Sequence, residues 1–203
     1  MTLGNLFIIT AASGAGKTSL VKALLAQDAH IKLSVSHTTR APRPGEENGV
    51  HYHFVSDAQF IQQLEAGDFL ESALVHGARY GTSQSSVDVM LKQGEDVILE
   101  IDWQGAAQVR KIYPQAVSVF ILPPSIETLA ERLNNRGQDS AEVIAKRVAV
   151  ARDEMSHVVE FDYVTINDHF ETALQDLAAI VRTQRLKMPA QLARYQQLVQ
   201  NLT

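Results

Sequence analysis

The chain has 203 residues, 45% of them hydrophobic, with 18 Lys and Arg against 23 Asp and Glu, a formal net charge of −5 and no cysteine. That length allows one domain, or one core carrying insertions. The composition excludes disulfides and thiolate metal sites and argues against a general nucleic-acid binder. No apolar run approaches the roughly 20 residues of a membrane span, and no N-terminal signal peptide is legible, so the expectation is a cytoplasmic chain with no membrane partner.

The first predicted element is an apolar strand over Leu6 to Thr10. A loop of small residues follows, Ala11-Ala12-Ser13-Gly14-Ala15-Gly16, and then Lys17-Thr18-Ser19 opens a helix to about Ala26. Strand, small-residue loop, Lys-Thr and helix in that order make a P-loop. The loop wraps an anion with its own backbone N–H groups, and the helix N-terminus faces the same anion. In such a loop Lys17 reaches the β- and γ-phosphates of a nucleotide, and the Thr18 hydroxyl is a ligand for Mg²⁺. The strict pattern has Gly where this chain has Ala11, which requires the backbone there to stay at negative φ.

A second strand is expected over Leu33 to Ser36. From about Thr39 to Gly94 the alternation of strand and helix breaks. This stretch holds the turn Arg40-Ala41-Pro42-Arg43-Pro44-Gly45, alternating residues at His51 to Val55, and two short helices, the first capped by Asp57 and the second by Ser83. It reads as an inserted subdomain. Val97 to Asp102 is the third strand, Val117 to Leu122 the fourth, closed by Pro123-Pro124, and Tyr163 to Ile166 the fifth. Their continuous apolar character fits strands buried on both faces of a parallel sheet. Between the last two, about Asn134 to Val158 is charged and helical, with Asp139-Ser140-Ala141-Glu142 resembling a capping box. It fits either a lid or a plain surface helix. From about Phe170 to Leu202 the chain reads as Gln-rich helix, either an interface that would make a homo-oligomer or a solvated surface. The fold class is α/β, a parallel sheet core flanked by helices.

Two further groups carry chemistry. Glu100 and Asp102 end an apolar strand, where P-loop enzymes place an acid that helps hold Mg²⁺, usually through water. Asp102, last in the apolar run, is the better candidate. Arg40 and Arg43, stiffened by prolines, form a cationic fork suited to bidentate phosphate binding or to a solvated turn. His37, His51, His53 and His76 match no standard zinc spacing.

Beyond these single features, the run from Ser36-His37-Thr38-Thr39-Arg40 through Pro42-Arg43 and Gly45-Glu46, then Gly49 to Val55, resembles the signature of the guanylate kinase family. Phe69-Leu70-Glu71, Tyr80-Gly81-Thr82-Ser83, Ile101-Asp102-Trp103-Gln104-Gly105, Phe120 to Ser125, Arg136-Gly137 and Ile166-Asn167-Asp168 continue the match in order, over nearly the whole chain and most like the bacterial form. The resemblance implies a P-loop NTPase core (about 1–37, 96–133 and 159–203), a GMP-binding subdomain (about 38–95) and a helical lid (about 134–158). It implies transfer of the ATP γ-phosphate to GMP or dGMP, giving ADP and GDP, with Mg²⁺ and without a covalent enzyme intermediate.

By motif position, residues Ala11 to Ser19 would hold the ATP phosphates. Arg40, Arg43, Tyr52 and Tyr80 would grip the GMP phosphate. Glu71 would accept from guanine N1–H and the 2-amino group, with Ser36 and Thr82 near the base. Arg136 and Arg147 would close over the transferring group as the catalytic pair beside Lys17 and Arg40. Arg132 and Asn167 would lie near the ATP base. Glu100 stands where many members carry Asp, and its longer side chain would shift a contact to guanine or to water. Scaffold proteins with a guanylate-kinase-like domain are one rival reading, and another small P-loop kinase is a second. The first usually lacks the P-loop and lid residues that this chain retains, and Glu71 with Ser36 favours guanine over other acceptors. A GTPase switch is disfavoured, because no Asn-Lys-x-Asp motif is found.

Overall fold

A computed structural model describes residues 3–75, 77–134 and 141–202, with side chains of the last segment from residue 145 onward. β1 (Leu6–Ala11) leads through the glycine loop into α1 (Lys17–Gln27), and β2 (Ile31–Leu33) follows. Then come β3 (His37–Thr38), β4 (His53–Phe54), α2 (Asp57–Glu65), β5 (Phe69–Val75), β6 (Ala78–Ser83) and α3 (Gln84–Lys92). β7 (Asp96–Glu100), α4 (Trp103–Ile112), β8 (Val117–Leu122), α5 (Ile126–Asn134), α6 (Ala141–Ser156) and β9 (Tyr163–Ile166) return the chain to the core. It ends in α7 (Phe170–Arg185), α8 (Met188–Arg194) and α9 (Gln196–Leu202).

The main sheet has five parallel strands in the order β2-β7-β1-β8-β9. Alternate residues of β1 face opposite sides, and each side has its own core. Phe7 and Ile9 pack with Leu20, Val21 and Leu24 of α1 and with Leu174, Leu177 and Val181 of α7. Leu6 and Ile8 pack with Val87 and Leu91 of α3 and with Ala106 and Val109 of α4. Burial on both faces is why β1, β7 and β8 are predominantly apolar, whereas β9, expected to be buried likewise, is an edge strand exposed at all but Thr165. A second sheet, β4-β3-β6-β5, forms the inserted subdomain, with antiparallel β3–β6 and β5–β6 pairs.

Several boundaries differ from the sequence reading. The second strand lies at Ile31–Leu33 rather than Leu33–Ser36, because Ser34 N still donates to Ile98 O but the chain then crosses to the small sheet. The third strand stops at Glu100, since Asp102 caps α4. The cap of α2 is Ser56, not Asp57. Ser56 Oγ accepts from Gln59 N and the Gln59 side chain accepts from Ser56 N, a reciprocal pair that leaves Asp57 free to bind Arg79. Ser83 caps α3, as expected. The C-terminal stretch is three helices, with Pro189 starting α8. The expected capping box at Asp139 and Ser140 lies outside the described residues. Among the described residues no helix is long and apolar enough to cross a membrane.

Candidate functional site

The site forms at the C-terminal ends of β1 and β7, where parallel α/β sheets open a crevice. Ala11 is still a strand residue, paired with Ile121, so its backbone is extended and the missing glycine costs nothing there. The left-handed turns fall on Gly14 (φ 90°) and Gly16 (φ 99°), where glycine is required. Gly14 is also a point of close approach: a Cβ would lie 2.9 Å from Leu133 Cδ2. The loop therefore presents bare backbone, with Ala12, Gly14 and Ala15 buried and Thr18 and Ser19 exposed at its mouth.

Lys17 Nζ donates to Ile101 O at 3.3 Å, so its ammonium rests across the end of β7. Thr18 Oγ1 donates to Glu100 Oε1. The acid in contact with Thr18 is therefore Glu100, expected to face substrate, and not Asp102. Asp102, expected to hold metal, accepts from Gly105 N at 2.9 Å as the cap of α4. Among the described residues there is no group of three or more His, Cys, Asp and Glu that could hold a metal. The all-oxygen pair of Thr18 and Glu100 suits a hard cation such as Mg²⁺, which takes its remaining ligands from water and substrate phosphates.

Across the crevice Glu71 projects from β5. It is 3% exposed, and Thr82 Oγ1 on β6 donates to its Oε1 at 2.6 Å. Burial pushes its carboxyl up to about 7, the Thr82 hydrogen bond opposes that rise, and the Asp102 charge adds to it. Ser36 Oγ lies 3.4 Å from Thr82 Oγ1, so three of the expected base-reading residues meet in one place. Gly105, in the first turn of α4, makes room for the carboxylate: a Cβ there would lie 2.6 Å from Glu71 Oε2. Gly105→Ala is expected to displace Glu71 and raise the GMP KM about tenfold while leaving the ATP KM within twofold, as steady-state kinetics would read.

Arg40, Tyr52 and Tyr80 also converge. The Arg40 guanidinium lies 5.4 Å from the Tyr52 ring centre, and the two tyrosine rings meet edge to face at 5.9 Å. Arg40 is held by Glu46 in a two-pronged contact of 2.9 and 3.0 Å, which raises its pKa and lowers that of Glu46. Glu46 also accepts from Arg43 N at 2.7 Å, so one carboxylate organises the whole basic turn. Glu46 was quoted in the sequence only as part of the motif, and its role as the organiser was missed. Arg43 itself is exposed. His37 packs against His53 at 4.7 Å and Phe69 at 5.4 Å, and burial lowers its pKa, so it serves as a packed ring of the small sheet.

On the far side of the loop, Asn167 is buried and donates through Nδ2 to Ala15 O at 2.7 Å. One amide N–H thereby props the P-loop from beneath, a structural role beside the expected place near a nucleotide base. Arg132 donates to Asn167 O at 3.0 Å. Arg147 is half-buried on α6, and Arg136 lies outside the described residues. Sequence reasoning also missed Glu154, whose Oε2 accepts from Ser13 N at 3.1 Å.

Comparison with known proteins points one way. The family model described as guanylate kinase matches residues 3–184. A guanylate kinase of Methylobacillus flagellatus is 71% identical over 199 residues, 98% of this chain and 98% of its own length. That of Hahella chejuensis is 56% identical, over 97% of this chain and 94% of its own. The crystal structure of guanylate kinase from Anaplasma phagocytophilum superposes with a TM-score of 0.77 at 31% identity, covering 92% of this chain and 89% of that one.

Proposed function

The chain belongs to the guanylate kinase family, nucleoside monophosphate kinases that phosphorylate GMP with ATP, and we propose that it carries out this transfer by direct in-line attack across the crevice described above. The P-loop amides and Lys17 hold the β- and γ-phosphates of ATP. Arg40 and Arg43, with Tyr52 and Tyr80, hold the GMP phosphate. Its oxygens are already nucleophilic, so no strong base is needed, and the protein's task is to align the reactants and stabilise charge. Arg147 and Arg136, from the lid region, neutralise charge on the transferring group. Thr18 and Glu100 are the residues that would hold Mg²⁺, and the ion, when bound, neutralises charge on the ATP phosphates. A cysteine-free chain of this family fits a cytoplasmic enzyme of purine nucleotide metabolism.

The observation that carries the reading is Glu71. A buried carboxylate, braced by Thr82 and seated against Gly105, offers acceptors to the N1–H and 2-amino group of guanine. Adenine presents no such pair of donors, and leaving the carboxylate unpaired would reject it by roughly 10⁴-fold. A coupled assay of ADP release with Mg²⁺ and ATP tests this against GMP, dGMP, AMP, CMP and UMP. Turnover confined to the two guanine nucleotides is expected. Turnover with AMP at a comparable rate would discard the role of Glu71, and GMP binding without any turnover would move the chain to a binding module.

A further inference from the structure

The P-loop is gripped from outside by the two helices that bracket residues 135–140. On the α5 side, Leu129 and Leu133 fill the space over Gly14, and Arg132 steadies Asn167, which in turn holds Ala15 O at 2.7 Å. On the α6 side, Glu154 Oε2 takes the Ser13 N–H at 3.1 Å, 141 residues away in sequence. The two sides are one body, because Ala12 of the loop packs in a single cluster with Leu129, Leu133 and Ala151, backed by Val148 and Met155.

Glu154 stands in the last turn of α6, beside the loop that would receive the ATP phosphates. What the side chain provides there is an acceptor for a loop N–H adjacent to the amides that receive phosphate. Ser13 is partly exposed, so without that acceptor its N–H turns to water or another oxygen and the loop loses the tie that fixes it ahead of Gly14 to Gly16. We infer that Glu154 is a positioning residue for ATP, fixing the P-loop through the Ser13 N–H and tying the loop to α6 and, through the shared apolar cluster, to α5. This rests on the reading that the P-loop holds the ATP phosphates.

The test compares Glu154→Ala, Glu154→Gln and Glu154→Asp by steady-state kinetics in each nucleotide and by thermal melting. Gln keeps the oxygen at the same reach without charge. Asp keeps the charge but withdraws the oxygen by one methylene. The expected order is Gln near wild type, within about threefold, and Asp and Ala with the ATP KM raised about tenfold and the GMP KM within twofold. The reverse order, with Asp tolerated and Gln impaired, would assign the residue a role through charge and overturn the proposal. Equal loss for both nucleotides with a lowered melting temperature would reduce it to general support of the fold, and an unchanged Ala variant would remove it altogether. If Ala does not fold, the Gln and Asp contrast still decides. Lys17→Ala run alongside separates the two readings: unchanged ATP use in that variant would fell the P-loop assignment itself.

Discussion

Replacing Lys17 with Ala lowers kcat about 10³-fold, equivalent to about 4 kcal/mol of transition-state stabilisation, while the GMP KM and the melting temperature stay nearly constant. The asymmetry follows from what the ammonium does in each state. In the free protein its ammonium donates to one backbone carbonyl, Ile101 O at 3.3 Å, which also accepts from Thr10 Oγ1 at 3.0 Å. Removing Lys17 therefore leaves that carbonyl satisfied and the fold intact. During transfer, by contrast, charge builds on oxygens at the mouth of the loop, in a crevice lined by low-dielectric protein. A fixed cation there is stronger than in water and needs no reorganisation when the bond breaks. The substitution should thus be read in kcat, by the coupled assay, with a thermal melt as the control for folding. Turnover within tenfold of wild type would take Lys17 off the transferring phosphates.

How much of this was readable beforehand depends on the range of the interaction. The strands β1, β7 and β8 are legible because burial on both faces makes them predominantly apolar, and the P-loop is legible because its small residues, Lys17 and Thr18 are contiguous. Local ambiguities went the wrong way where two residues compete for one role. Ser56 and Asp57 are both good helix caps, and the reciprocal partner three residues on, Gln59, is what selects Ser56. Glu100 and Asp102 both follow the apolar run. Only the strand's end point decides which faces Thr18, and the sequence reading carried the strand two residues too far. Pro189, by contrast, is a local break in the last helix that the reading passed over. Contacts between distant elements left no trace in one sequence. Glu154 on Ser13, Gly105 under Glu71 and Asn167 beneath Ala15 depend on how α6, α4 and β9 come to rest against the loop and the small sheet. Glu71 itself lay between these cases: its place came from the resemblance, and its burial and raised pKa from the fold.

That raised pKa makes Glu71→Gln a test of function and stability together. In the unfolded chain the carboxyl titrates near its ordinary 4.5, whereas in the folded protein burial holds it at about 7. Below about pH 4.5 both states keep the proton and the group is neutral in its effect. Between those two values the unfolded chain gives up its proton while the native chain retains it, so native stability falls as pH rises, by on the order of 3 kcal/mol once pH exceeds 7. Gln carries no such burden. The variant is expected to melt several degrees above the wild type at pH 8, with the two curves meeting near pH 4.5. Its GMP affinity should fall about 10²-fold, because one amide oxygen replaces a carboxylate that accepts two donors, while ATP affinity stays within twofold. Wild-type GMP affinity should in turn weaken about tenfold for each pH unit below 7, as the acceptor is protonated, with the ATP KM flat over the same range. Calorimetric titration of each nucleotide at pH 6 and 8 measures both effects. Equal weakening toward GMP and ATP would take Glu71 out of the base site. A variant that loses GMP yet gains no stability at pH 8 would show instead that the free carboxylate is already satisfied in the folded protein, so that guanine binding relieves no strain.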